Sequence, residues 1–348
     1  MRTTVVLGLF AAFVLAGSWV ATAAAPAAGI IAVDKVGNTI RFLDPVTLKE
    51  TGKLAPPGKS VHELSVAPDG KRAFIPLYGE GIYGSNKEPN NKILVIDLAK
   101  QEIAQIIDLG MYVAPHGLAA TRDGKVWITC DQQNVLLLVD PAKNAVEAAY
   151  PVPGRGAHFV VLTPDETKLY VSNKEGPVAV FDLKARTFKT GPHFGKPGVT
   201  AGAGAGTEGL AMSPDGRRLV IADNDTSSIH LIDTATDKAV DAAPLANAPL
   251  QSSRKTRLIR LRYSPDGRTI VATTYAGAET WIIDAANIRR QLMTPVAKGP
   301  QGVAFDPDGK SVVVSSHDSG LLTRIDLKTG KPIATADGGD GIEVLSYY

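Results

Sequence analysis

The chain has 348 residues, a formal net charge of +2 at pH 7 and one cysteine, Cys130. A nearly neutral protein offers no electrostatic case for nucleic acid or an anionic membrane as its main partner. A lone cysteine excludes an intramolecular disulfide, so stability has to come from packing and chain closure.

The N-terminus opens with Met1-Arg2-Thr3-Thr4 and an apolar run from Val5 to Gly17. A charged start before a greasy core too short to span a bilayer is the pattern of a secretory signal peptide. The small-residue site Ala21-Thr22-Ala23 predicts cleavage there. Residues 1–23 would be removed, and 24–348 would form one exported domain, periplasmic or secreted, with no transmembrane segment.

Beyond the leader a turn phrase recurs six times: Ala67-Pro68-Asp69-Gly70, Thr121-Arg122-Asp123-Gly124, Thr163-Pro164-Asp165-Glu166, Ser213-Pro214-Asp215-Gly216, Ser264-Pro265-Asp266-Gly267 and Asp306-Pro307-Asp308-Gly309. In most of these Pro presets φ and Gly accepts a positive φ, the chemistry of a tight turn between strands. A second marker, an apolar strand ending in Asp, follows each, as in Val95-Ile96-Asp97 and Leu231-Ile232-Asp233. It also occurs a seventh time, at Phe42-Leu43-Asp44.

That extra copy is informative. The segment from Ile30 to Leu54 carries the second, third and fourth strands of a unit but no first, while Ile342 to Tyr348 is a first strand without successors. Joining them closes a ring and removes the exposed sheet edge. The repeats therefore predict an all-β fold, a seven-bladed β-propeller of four-stranded blades whose last blade is closed by the N- and C-terminal strands, with almost no helix.

The stretch Thr167-Lys168-Leu169-Tyr170-Val171-Ser172-Asn173, with the Asp-ending strand after it, resembles the repeats of the YVTN or YncE-like bacterial propellers. The resemblance covers nearly all of 24–348. It implies a surface or periplasmic propeller, a fold that hosts lyases, lactonases, dehydrogenase subunits and pure binding modules, so function must be read from the site.

In a blade the first strand starts and the second strand ends on one rim, here called the top. The longest insertions map there: Tyr78 to Asn91, Gly191 to Thr207 and Leu245 to Thr256. Long loops gathered on one face mark a binding face. Counting back eight positions from the last residue of each turn gives the residue opening each inner strand: His62, His116, His158, Glu208, Ile259 and Gln301, with Asp340 assigned from the C-terminal strand. The second strands end at the same rim in Tyr78, Asp131, Asn173, Asn224, Tyr275 and His317.

Three imidazoles and a carboxylate, His62, His116, His158 and Glu208, would suit a divalent transition metal if their donors converge. The same residues would equally serve as a hydrogen-bonded collar around the channel mouth, or pack between blades. His158, Glu208, Arg260 and His317 are the candidate catalytic groups. Tyr78, Asp131, Asn173, Asn224, Tyr275 and Gln301 are candidate ligand contacts. Arg260 and Arg262 stand where other blades hold mostly small residues, and buried guanidiniums need partners such as Glu63, Glu208 or Asp340, or an anionic ligand. Cys130 reads as an inert core thiol.

The function expected is binding of a small molecule or a partner protein at the top rim. The alternative is a metal-dependent or His/Glu acid-base enzyme of lactonase, lyase or isomerase type acting on a small anionic substrate. A third reading is an accessory subunit of a periplasmic dehydrogenase, with the redox cofactor on another chain.

Overall fold

The computed structural model describes residues 28–192, 194, 206–223, 226–245 and 258–348. The leader, Asn224 and most of the loops 191–207 and 245–256 lie outside the described residues. Seven antiparallel four-stranded sheets are arranged as the repeats predict. Blade one is Ser65–Val66, Arg72–Glu80, Glu88–Asp97 and Glu102–Asp108. Blades two to six start at Pro115–Ala120, Arg155–Leu162, Thr207–Met212, Leu258–Tyr263 and Pro300–Phe305. Among the described residues there is no helix, hence none long and apolar enough to cross a membrane.

Blade seven closes as expected. Its inner strand Ile342–Tyr347 pairs with Ile30–Asp34, with Ile30 opposite Tyr347 and Val33 opposite Val344, and Thr39–Leu43 and Glu50–Leu54 complete the sheet. The Ala28 N–H donates to the Tyr348 carbonyl at 2.7 Å, so main chain from both termini continues the seam.

The core lies between blades, because each sheet is apolar on both faces. Between blades two and three, Trp127 meets Phe181 at 5.3 Å between ring centroids and Tyr150 meets Phe181 at 4.8 Å. Between blades seven and one, Ile31, Val33, Phe42, Ile75, Leu77 and Leu94 are all fully buried. Each such side chain contributes about 1.5–3 kcal/mol on burial.

Both sequence markers are turns on the bottom face, and both cap themselves. In blade four, Ser213 Oγ donates to Asp215 Oδ1 at 2.6 Å, the Arg217 N–H donates to the same oxygen at 3.0 Å, and Gly216 sits at φ +72°. The strand-ending aspartates hold the turn into the outer strand: Asp233 Oδ1 accepts the N–H groups of Ala235 (3.1 Å) and Thr236 (3.0 Å). Such Asx turns explain why Asp closes every third strand.

Candidate functional site

In blades two to six the ladder between the first and second strands slips at one place. It does so between Pro115 and Leu118, Ala157 and Val160, Thr207 and Leu210, Leu258 and Arg260, and Pro300 and Val303. A bulge re-aims a side chain and frees a backbone N–H from the ladder. In blades two, three and six a second-strand hydroxyl takes up that donor: Gly117 N–H reaches Thr129 Oγ1 (3.0 Å), Phe159 N–H reaches Ser172 Oγ (3.0 Å) and Gly302 N–H reaches Ser315 Oγ (2.9 Å). Neighbouring blades approach closely here. A Cβ on Gly117 or Gly209 would lie 2.4 Å from the carbonyl oxygen of His158 or Ile259.

The bulges open on a top cavity of about 640 Å³ whose lining includes His62, His116, His158, Glu208, Ile259, Gln301, Tyr78, Tyr275, His317 and Arg260. Along its wall runs a polar belt. Lys35 Nζ lies 3.4 Å from Glu343 Oε2, and that oxygen lies 2.8 Å from His62 Nδ1, at ion-pair distance but off the line of a hydrogen bond. His62 Nε2 meets His116 Nε2 at 2.7 Å, so one of the two donates and the other accepts. The His116 and His158 rings pack at 3.6 Å between centroids, tilted by 37°. His158 Nε2 lies 3.1 Å from Glu208 Oε2, and Lys174 Nζ donates to Glu208 Oε1.

Burial dominates the electrostatics of this belt. It pushes all three imidazoles down: His62 below its ordinary value, His116 well below, and His158 to about 3. They are neutral at pH 7, with lone pairs available. Burial opposes ionisation of Glu208 and Glu343 too. For Glu208 the Lys174 and His158 side chains outweigh it, for Glu343 the His62 and Lys35 side chains do, and both carboxyls end well below the usual range.

The floor of the cavity is a cross-channel ion pair. Arg260 donates through Nη1 (3.0 Å) and Nη2 (2.8 Å) to the two oxygens of Glu63, and its guanidinium lies 5.0 Å from the Phe159 ring centroid. Burial works against the charge on Arg260, but the Glu63 carboxylate more than offsets it and raises the pKa.

The remaining candidates fall into two groups. Tyr275 OH donates to Asp318 Oδ1, and His317 Nδ1 lies 3.0 Å from the same oxygen, on the cavity wall opposite the belt. Tyr78 OH donates to Asp131 Oδ2 at 2.6 Å; burial lifts Asp131 to about 6 and carries Tyr78 far above its ordinary value. The Asn173 amide donates to the carbonyls of Pro153 (2.9 Å) and Pro177 (2.5 Å), tying two loops together. Neither Asp131 nor Asn173 lines the cavity. Cys130 is fully buried, and burial raises its thiol pKa well above the ordinary value.

One register needs correction. Asp340 does not open the inner strand of blade seven: its N–H donates to Asp34 Oδ2 at 3.1 Å in the loop before it, and Glu343 fills the position instead. No turn follows that strand, so nothing anchors a backward count. Lys35 and Lys174 also escaped sequence reasoning. Lys35 lies one residue beyond the strand Ile30–Asp34, and Lys174 is the penultimate residue of the strand Lys168–Glu175.

His62, Glu63 and His116 bring donor atoms within 4.8 Å of one another, as a metal site requires. Two features work against immediate coordination. Tetrahedral zinc with bonds of 2.0–2.1 Å needs ligand nitrogens ~3.3 Å apart, whereas the two Nε2 atoms are already 2.7 Å apart as mutual partners. Glu63 also has both oxygens on Arg260. His158 and Glu208 pair at the far end of the belt, so the four sequence-predicted metal ligands form a line rather than a cage.

Searched against family models, the chain matches none. It is 24% identical over 237 residues to Protein NirF of Pseudomonas aeruginosa, covering 66% of this chain and 58% of NirF. The chain thus spans well under two thirds of that relative's length. Among solved structures it resembles a Kuenenia stuttgartiensis hydrazine synthase chain (TM-score 0.69, 16% identity, 90% of this chain and 99% of the other). It also resembles a functionally unknown protein from Desulfotomaculum acetoxidans (TM-score 0.70, 12% identity, 92% and 98%). At these identities the solved structures establish the propeller fold and nothing of function.

Proposed function

We propose that the protein is an exported, YncE-like propeller that binds a small polar molecule in its top-rim cavity, without a reaction of its own. The observation that carries this reading is the state of the belt. His116 Nδ1 and His158 Nδ1 are buried without a hydrogen-bond partner among the described residues. An unmade hydrogen bond at a buried polar atom costs about 1–3 kcal/mol, and such groups mark an unseen partner. Two on adjacent stacked rings, beside a cavity whose volume falls within the roughly 300–1,000 Å³ of small-molecule sites, support a ligand. Neutral imidazoles and carboxylates held ionised by Lys35 and Lys174 supply fixed acceptors, which suits recognition more than proton transfer near neutral pH. The apolar N-terminal run and the YncE-like repeats support export to the periplasm or beyond the cell.

The test is mass spectrometry of small molecules released on denaturing protein purified from the cells that make it. A His116→Phe/His158→Phe variant is run beside the parent, with its fold checked by circular dichroism. The expected result is a compound enriched on the parent and lost from the folded variant. Nothing released from the parent would overturn the reading.

A second reading, a divalent transition metal at the rim, is favoured by the convergence of His62, Glu63 and His116 and by their neutral imidazoles. Loading would require His62 and His116 to part and Glu63 to leave Arg260. Elemental analysis of the purified protein checks it: near-stoichiometric zinc, copper, manganese or iron, lost from a His62→Ala/His116→Ala variant, would support the metal over the organic ligand.

A further inference from the structure

Beyond the Glu63–Arg260 floor lies a second cavity of about 400 Å³, which Glu63 and Arg260 also line. Its wall includes the ring of residues two positions after the Glu63–Arg260 level: Ser65, Ala119, Val161, Ala211, Arg262 and Ser346. In that ring Arg262 is the single charged group. Among all the residues lining the cavity there are two guanidiniums, Arg260 and Arg262, and one carboxylate, Glu63.

Glu63 is committed. Both its oxygens accept from Arg260, so the pair is neutral as a unit and leaves Arg262 uncompensated. The Arg262 side-chain contact in hand is a donation from Nη1 to the Leu261 carbonyl at 3.2 Å, which satisfies one of its five N–H donors and none of its charge. Of the hydroxyls nearby, Ser346 Oγ donates to the Tyr347 carbonyl, while Ser65 Oγ accepts from the Ala120 N–H and keeps its own proton to offer an anion. Much of the remaining side-chain lining is apolar, including Leu64, Leu118, Val160 and Leu210, with Tyr263 also on the wall. Burial and the neighbouring Arg260 pull the Arg262 guanidinium down to about 10, with only Glu63 acting the other way. It is still charged at neutral pH, and, half-buried with no carboxylate left to pair with it, it presents that charge to the channel, where a small anion fits it.

We propose that the lower channel holds one small monovalent inorganic anion, of chloride size, on the Arg262 guanidinium. The net charge of the cavity lining is one positive unit, which one monovalent anion neutralises. The second guanidinium, Arg260, is neutralised by Glu63, so no second free cation is left for a multiply charged oxyanion. A small carboxylate shares the guanidinium chemistry, so the experiment has to separate it from chloride.

The experiment follows thermal unfolding at constant ionic strength, with sodium gluconate replaced stepwise by sodium chloride or by sodium acetate, for the parent, Arg262→Met and Arg262→Gln. An anion that binds the folded state alone raises the midpoint by about 2 °C for each tenfold increase above its dissociation constant. The parent should show that rise with chloride, and neither variant should. In gluconate Arg262→Met should melt at or above the parent, because it removes an uncompensated charge. Crystals of the parent grown in bromide should give an anomalous peak within about 3.5 Å of the Arg262 guanidinium nitrogens. Equal chloride slopes in parent and variants, a steeper slope with acetate, or no bromide peak at Arg262 would overturn the proposal. The bromide result decides alone if the variants do not fold. It is independent of whether the top cavity binds anything.

Discussion

The two faces of this propeller carry similar polar residues and treat them in opposite ways. On the bottom, each aspartate of the turn phrase and each strand-ending aspartate is satisfied within a few residues of itself, as Asp215 is by Ser213 and Arg217 and Asp233 by Ala235 and Thr236. At the top, partners come from other blades: His62 from blade one meets His116 from blade two and Glu343 from blade seven, and Arg260 crosses the channel to Glu63. Two imidazole nitrogens there have no partner among the described residues. Locally satisfied polar groups build a scaffold that folds blade by blade. Groups that depend on ring closure, and still leave buried nitrogens without a hydrogen-bond partner among the described residues, are where the proposed ligand would sit.

The largest expected effect lies at the floor of the rim cavity. Glu63→Ala leaves the Arg260 charge buried and alone, and should cost about 3–5 kcal/mol in urea unfolding. A Glu63→Ala/Arg260→Met double variant should recover more than half of that loss. A cost below about 1 kcal/mol for the single variant would show that Arg260 is solvated and the faces differ less than argued.

Acid should act through the top face next. His158 has a folded pKa of about 3, against an ordinary value near 6.5, so the unfolded chain takes up the proton first. Its contribution is complete above roughly pH 6.5 and is lost as pH falls toward 3, with a slope of about 1.4 kcal/mol per pH unit for one proton. His158→Phe should flatten the stability profile over that window. Asp131 has the opposite sign: lifted to about 6 in the fold, it gains stability as pH falls from 6 toward 4. Asp131→Asn should therefore steepen the acid loss, and an unchanged profile in both variants would contradict the assigned shifts.

Tyr78→Phe removes the donor to the buried Asp131 carboxylate and should cost about 1–3 kcal/mol, read by denaturant titration. On the bottom face, Ser213→Ala removes one local cap and should cost about 1 kcal/mol, with rim binding unchanged. If Ser213→Ala altered the complement of bound small molecules, the separation of scaffold from site would fail.

How much was legible in the sequence follows the same division. The bottom turns are local: Pro, Asp and Gly at fixed offsets encode their own hydrogen bonds, so blade number, closure by Ile342–Tyr347 on Ile30–Asp34, and the rim position of His62, His116, His158 and Glu208 could be counted from Ser213-Pro214-Asp215-Gly216 and its fellows. The belt is made across blades. That Glu63 rather than Glu208 takes Arg260 depends on which side chains cross the channel. Glu343 was missed because its strand ends the chain with no turn to count from. Lys35 and Lys174 were missed because lysines at strand ends read as solvated, and only the fold brings them onto Glu343 and Glu208.

The belt of imidazoles is proposed to face a bound small molecule. The most direct measurement is a crystal structure of the protein purified from the cells that make it, without added ligand, at a resolution that separates water from other density. A bound molecule would give continuous non-protein density in the top cavity within hydrogen-bond distance of His116 or His158. Imidazoles that meet only one another and ordered water would contradict that proposal.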